Sequence, residues 1–203
     1  MREIAPDIIC WSAFHPGIRE TVFSYALVES GILLDPMLPP DGGLEALASV
    51  EPKQIVLTNR HHHRDAAAIA SHFGIAVRVS KPGVDDASKH VPVTAFEWNE
   101  QLAPGVTALE VGAICPDESA IHINGESTAL ACADGVIRIA GELCFVPDFL
   151  LGDDAEQVKA GLRDAYRRLL ELAFDHLLLA HGEPVIGRGH EALAAFAGAA
   201  NRF

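Results

Sequence analysis

The stretch that most constrains the fold is QIVLTNRHHHRDAAAIASHFG, residues 54–74, with IAVRVS directly after it. QIVLT is a short apolar run rich in β-branched residues and reads as a buried strand. RDAAAIASHFG reads as a helix, with Asp65 near its start and Gly74 as its terminating residue. IAVRVS alternates and reads as the next strand. A strand, a helix and a strand in this order form a βαβ unit, whose helix must cover a sheet. Three consecutive histidines, His61, His62 and His63, occupy the loop between strand and helix.

The flanking chain extends this pattern. TVFSYALVES and ILLDP, separated by Gly31, read as a hairpin. LEALASV reads as a short helix closed by Pro52. From Val91 the texture changes to short strands: GVTALEVG, AIHING, STALACAD and GVIRIAGELCF, with NGE and ADG as hairpin-like turns. AEQVKAGLRDAYRRLLELAF, residues 155–174, is a helix in which Val158, Leu162, Ala165, Leu169 and Leu172 form one apolar face and Lys159 falls elsewhere. HLLLAHGEP reads as a buried strand ending at His181 and Gly182. GHEALAAFAGAA, residues 189–200, is a terminal helix. Strands and helices interleave without linker or repeat, so residues 1–203 read as one mixed α/β layered domain.

Composition excludes several classes. A formal net charge of −13 and the lack of a basic stripe argue against a nucleic-acid partner. The N-terminus carries Glu3 and Asp7 and has no long apolar region, so it does not read as a signal peptide. The most apolar segment, STALACADGVIRIAGELCFVPDFLL, is interrupted by Asp134, Arg138 and Glu142, so no membrane span is expected. Cys10, Cys115, Cys132 and Cys144 form no CxxC pair and read as free thiols of a reducing compartment. The cytoplasm is the expected location.

The histidine loop carries the chemistry. In an extended loop alternate side chains point the same way. His61 and His63 would then share a face and His62 would point away, unless a local rearrangement turns it inward. Asp65 would join the pair at the helix start. Two imidazoles and a carboxylate suit zinc, iron or manganese. The competing reading is a solvated loop with chance histidines. His15, His72, His90, His122, His176 and His190 lack partners in sequence and read as surface or core residues.

His61-His62-His63-Arg64-Asp65-Ala66 resembles the His-x-His-x-Asp-His signature of the metallo-β-lactamase-fold superfamily. The resemblance runs along nearly the whole chain. TVFSYALVESGILLDP is similar to the family's opening hairpin, with Asp35 in the place of its strand-end aspartate. GAICPDESAIHI resembles the segment that supplies a further histidine, a position that falls on Cys115. IAGELCF resembles the segment that supplies a bridging carboxylate, here Glu142. LLLAHGEPVIG is similar to the closing segment and keeps His181. The resemblance implies a four-layered αββα sandwich with the site at one edge of two sheets. It also implies hydrolysis at a metal, which lowers the pKa of bound water toward about 7 and stabilises an oxyanion. The ligand set carried over is His61, His63, Asp65, Cys115, Glu142 and His181, with Asp65 also the candidate catalytic carboxylate and Asp35 orienting a ligand histidine from behind.

The pattern also departs from the family. Ala66 stands where a histidine is usual and cannot ligate. Glu142 is one methylene longer than an aspartate. A complete two-metal site is therefore not expected; a single metal or none are the open alternatives. Zinc is the first expectation, then iron or manganese. Arg60 and Arg64 flank the cluster and would either bind an anionic substrate or offset its carboxylates. Asp117 and Glu118 read as loop carboxylates. The functional expectation is a hydrolase of a small ester, thioester, lactone or phosphodiester. Two alternatives stand beside it: a metal-free pseudoenzyme that binds a small molecule or a protein, and an iron-dependent redox protein. An edge hairpin and the apolar GELCFVPDFLL segment permit a homodimer.

Overall fold

The structure is a computed structural model that describes residues 1–198. Its first sheet has seven strands in chain order: β1 (Arg2–Ala5), β2 (Ile8–His15), β3 (Glu20–Leu27), β4 (Ile32–Leu34), β5 (Gln54–Val56), β6 (Ala76–Ser80) and β7 (Thr94–Phe96). Pairing is antiparallel from β1 to β4 and parallel from β4 to β7. The second sheet is built from β8 (Gln101–Ala103), β9 (Val106–Glu110), β10 (Ser119–Asn124), β11 (Thr128–Cys132) and β14 (His176–Leu179), in the spatial order β14-β11-β10-β9-β8. A separate hairpin pairs β12 (Ile137–Ile139) with β13 (Glu142–Cys144).

Period-two alternation builds the layers. Ile32 and Leu34 of β4, Val56 of β5 and Leu178 of β14 face a core shared by the two sheets, with Phe23, Tyr25, Ile121 and Ala131. The intervening Leu33 and Ile55 face outward. They pack under α1 (Gly43–Ala48), α2 (Ala66–Phe73) and α3 (Val84–Ala87) through Leu47, Ile69 and Ala87. On the far side, Leu177 and Leu179 pack under α4 (Ala155–Leu169) and α5 (Gly189–Gly198) through Leu162, Tyr166 and Leu193. The result is the expected αββα sandwich.

The βαβ unit forms as read: β5 and β6 are parallel neighbours, α2 begins after Asp65, and Gly74 closes it at φ 67°. The Gly31 hairpin forms between β3 and β4. Four details differ from expectation. The segment read only as an unremarkable N-terminus supplies β1 and β2, which lie at one edge of the first sheet. GVIRIAGELCF is not one strand but the β12–β13 hairpin, because Ala140 and Gly141 both take positive φ and reverse the chain. The long helix ends at Leu169 rather than Phe174. Lys159 is buried rather than solvated, held by Asp148 and Glu156. The last two residues of the expected terminal helix, 199 and 200, lie outside the described residues. No helix among the described residues is long and apolar enough to cross a membrane.

Candidate metal centre

The site lies where strand ends of both sheets meet. β5 runs through Leu57 and Thr58 into the histidine loop, which is not extended. The His62 N–H donates to the Asn59 carbonyl and the Ala66 N–H to the His63 carbonyl, so residues 59–66 coil as consecutive turns. Coiling breaks the alternation that the sequence suggested. His62 turns inward and is buried, whereas His61 is exposed.

Three residues from separate segments converge. His62 Nε2 is 3.1 Å from Asp134 Oδ1, and His181 Nε2 is 3.1 Å from the same oxygen. The ligand atoms of His62, Asp134 and His181 lie within 4.8 Å of one another, and among the described residues no other set of three histidines, cysteines or carboxylates does so. Asp134 follows β11 and His181 follows β14, which are parallel neighbours, so their strand ends emerge side by side. The isolated bridge from Val22 to His181 and the Arg138 N–H donated to the His181 carbonyl fix the last strand's end from both flanks.

A further layer of contacts orients these groups. His62 Nδ1 is 2.8 Å from Asp35 Oδ2, and the Thr58 hydroxyl and N–H donate to the same carboxylate at 2.5 and 2.8 Å. This places the Nδ1 proton toward Asp35 and aims Nε2 at Asp134. The Asn59 amide donates to Asp134 Oδ2 at 2.8 Å. Glu118 is buried and accepts from the N–H groups of Gly135 and Ile114, tying the turn after Asp134 to the loop before β10. Burial and the nearby Asp134 charge push the Glu118 carboxyl up to about 7. Asp117, also buried, accepts from Arg60 N at 2.6 Å and Nε at 2.5 Å, and Arg60 pairs with Asp86 as well. Arg60 thus anchors the loop rather than facing a ligand.

The electrostatics follow from burial against close charge. Burial alone would lower the His62 pKa, but Asp134 and Asp35 outweigh it and hold the imidazole at about 9. Burial would raise Asp134, but His62 and His181 hold it well below the usual carboxylate range. The same balance, with His62 and Arg64 as the cations, lowers Asp35.

Of the six ligands carried over by resemblance, His181 enters this group. The other five lie elsewhere. His61 is exposed. The His63 ring stacks on His90, with centroids 3.9 Å apart. Asp65 Oδ2 accepts the Leu38 N–H at 2.8 Å, which engages the candidate catalytic carboxylate with backbone. Cys115 is half-buried, and burial with the Asp117 and Glu118 carboxylates raises its thiol, which opposes the thiolate that a metal needs. Glu142 is exposed at the start of β13. Asp35 does sit behind a site histidine, but that histidine is His62. The sequence reading missed Asp134 because ADG resembles a plain turn. The available signal was its place directly after a strand that pairs with the one ending at His181.

A family model described as the metallo-beta-lactamase superfamily matches residues 1–199. The chain belongs to the metallo-beta-lactamase superfamily. Solved structures share the fold at low identity. The metallo-beta-lactamase family protein TTHA1429 from Thermus thermophilus superposes with a TM-score of 0.67 at 16% identity, covering 96% of this chain and 79% of that one. The DIM-1 metallo-beta-lactamase gives 0.71 at 13%, covering 96% and 94%. The metal-soaked Flv1 flavodiiron core from Synechocystis sp. PCC6803 gives 0.65 at 15%, covering 96% of this chain but 58% of that one. A comparison with curated proteins returned no match.

Proposed function

We propose that this superfamily member holds one divalent metal at His62, Asp134 and His181 and hydrolyses a small ester, thioester, lactone or phosphodiester. The observation that carries the reading is the convergence of two imidazoles and a carboxylate within 4.8 Å, with Asp35 engaging the far nitrogen of His62. That donor set suits zinc, iron or manganese, and a carboxylate behind a histidine is the usual support of a ligand. When bound, such an ion supplies Lewis acidity and a bound water of lowered pKa.

The chain's own residues complete the arrangement. Asp35 and Thr58 keep His62 in the tautomer that leaves Nε2 available. Asn59 occupies Asp134 Oδ2 and leaves Oδ1 turned toward both histidines. The side chains of Asp134 and His181 are 22% and 21% exposed, so the cluster opens to solvent on their side and a substrate would approach there.

A second reading rests on a different feature of the same contacts. Both Nε2 atoms already lie in hydrogen-bond reach of Asp134 Oδ1, and a protonated His62 with Arg64 would balance Asp35 and Asp134. A metal-free binding module fits that closed network. Metal content separates the two. Protein purified without chelators or a polyhistidine tag is expected to carry about one zinc, iron or manganese per chain by plasma mass spectrometry. His62→Ala and His181→Ala should lose it. No bound metal, and no uptake on titration, would overturn the hydrolase reading.

A further inference from the structure

Arg64 belongs to neither reading's ligand set, yet its hydrogen bonds lead to residues beside the site. Its guanidinium Nη1 donates to the carbonyls of Phe23 at 2.7 Å and Asp35 at 2.6 Å, and Nη2 lies 3.5 Å from the carbonyl of Ala180. Phe23 lies in β3, Asp35 directly follows β4 and Ala180 directly follows β14, so one side chain joins strands of both sheets. The Asp35 carbonyl belongs to the residue whose carboxylate orients His62. Ala180 precedes His181. Phe23 follows Val22, which bridges to His181, and the Phe23 N–H donates to the Ala180 carbonyl.

The loop accepts an unfavourable backbone to reach this position. Arg64 has φ 36°, in the left-handed region that non-glycine residues disfavour because Cβ crowds the following carbonyl. Its guanidinium donates to neutral oxygens, and no carboxylate among the described residues lies within ion-pair distance of it. A planar fork of donors meets carbonyls from several directions, as a lysine ammonium on its flexible stem does not.

We infer that Arg64 is a positioning residue for the proposed metal centre: its guanidinium locks the strand ends carrying Asp35 and His181 in register, so that His62 on one side and Asp134 and His181 on the other stay at ligand spacing.

This inference rests on the metal reading, and the test keeps the two apart. Wild type, Arg64→Lys and Arg64→Met are loaded with cobalt(II), and affinity is measured by chelator competition alongside the visible absorption spectrum and thermal unfolding. Wild type is expected to bind one cobalt. Arg64→Lys should remain folded, bind at least about tenfold more weakly and show an altered ligand-field spectrum, because charge is kept and the fork is lost. Arg64→Met should weaken binding of the first cobalt as well. Folded variants with wild-type affinity and spectrum would overturn the positioning role while leaving the metal site intact. If Arg64→Met does not fold, Arg64→Lys alone decides by the same two readouts. A wild type that takes no cobalt would overturn the metal reading and this inference together.

Discussion

His62 and Asp35 are joined by a 2.8 Å contact between Nδ1 and Oδ2, and both side chains are 5% exposed. They come from different elements: Asp35 follows β4 and His62 lies in the loop after β5, and these two strands are parallel neighbours. The pairing therefore depends on the strands' register. It converts a carboxylate that looks like part of an Asp-Pro turn into the group that fixes a histidine's tautomer and orientation.

Asp35→Asn removes the negative charge behind His62 while keeping its size. Removal of such a supporting carboxylate typically costs about 10–100-fold in metal affinity. We expect a loss in that range by chelator competition, against less than about twofold for the exposed His61→Ala.

In the presence of a chelator, stability should depend on pH through the same cluster. His62 titrates at 6.5 when unfolded and about 9 when folded, so it contributes fully below 6.5 and loses that contribution as pH rises through 9. Asp35 and Asp134 are depressed from 3.8, so their contribution is present above that value and lost as pH falls through their folded values. Urea midpoints should therefore peak between about pH 4 and 4.5 and decline as pH rises, first through the folded value of Glu118, about 7, and then through that of His62. The alkaline limb should amount to a few kcal/mol on an order-of-magnitude scale. His62→Gln should flatten it; an unchanged limb would assign the decline to other groups.

Tyr25 links the sheets directly. Its hydroxyl donates to the Leu179 carbonyl at 2.8 Å and accepts the Leu179 N–H at 3.0 Å, two residues before His181. Tyr25→Phe leaves a buried backbone N–H and carbonyl unsatisfied. A destabilisation of about 1–3 kcal/mol is expected in urea unfolding.

Gly182 has φ 91°, and a Cβ there would drive into the Arg138 carbonyl. Gly182→Ala should destabilise the protein by at least about 1–2 kcal/mol, the left-handed backbone penalty alone, and should displace His181. The expected result is a lower melting temperature together with weaker metal uptake. A folded variant with unchanged uptake would show that the His181 position tolerates movement of this turn.

The amino-acid order determined the layers and much of the frame. Short continuous apolar runs in ILL, QIV and HLLL marked strands buried on two faces, the helical spacing of apolar residues marked α4, and Gly31 and Gly74 marked a turn and a helix end. These are local signals, set by side-chain periodicity and backbone preference within a few residues. His181 was legible because a strand ended on it. The convergence of His62 and Asp134 on it was not. Which way His62 points depends on how residues 59–66 coil, and that is decided by the Asn59 carbonyl, the Arg60–Asp117 clamp and the Asp35 carboxylate, groups up to 57 positions apart in the chain. Asp134 meets His181 only because β11 and β14 lie side by side, a pairing across 47 positions from Ala129 to His176. Side-chain identity settles what each residue can do chemically; the packing of two sheets decides which of those residues meet.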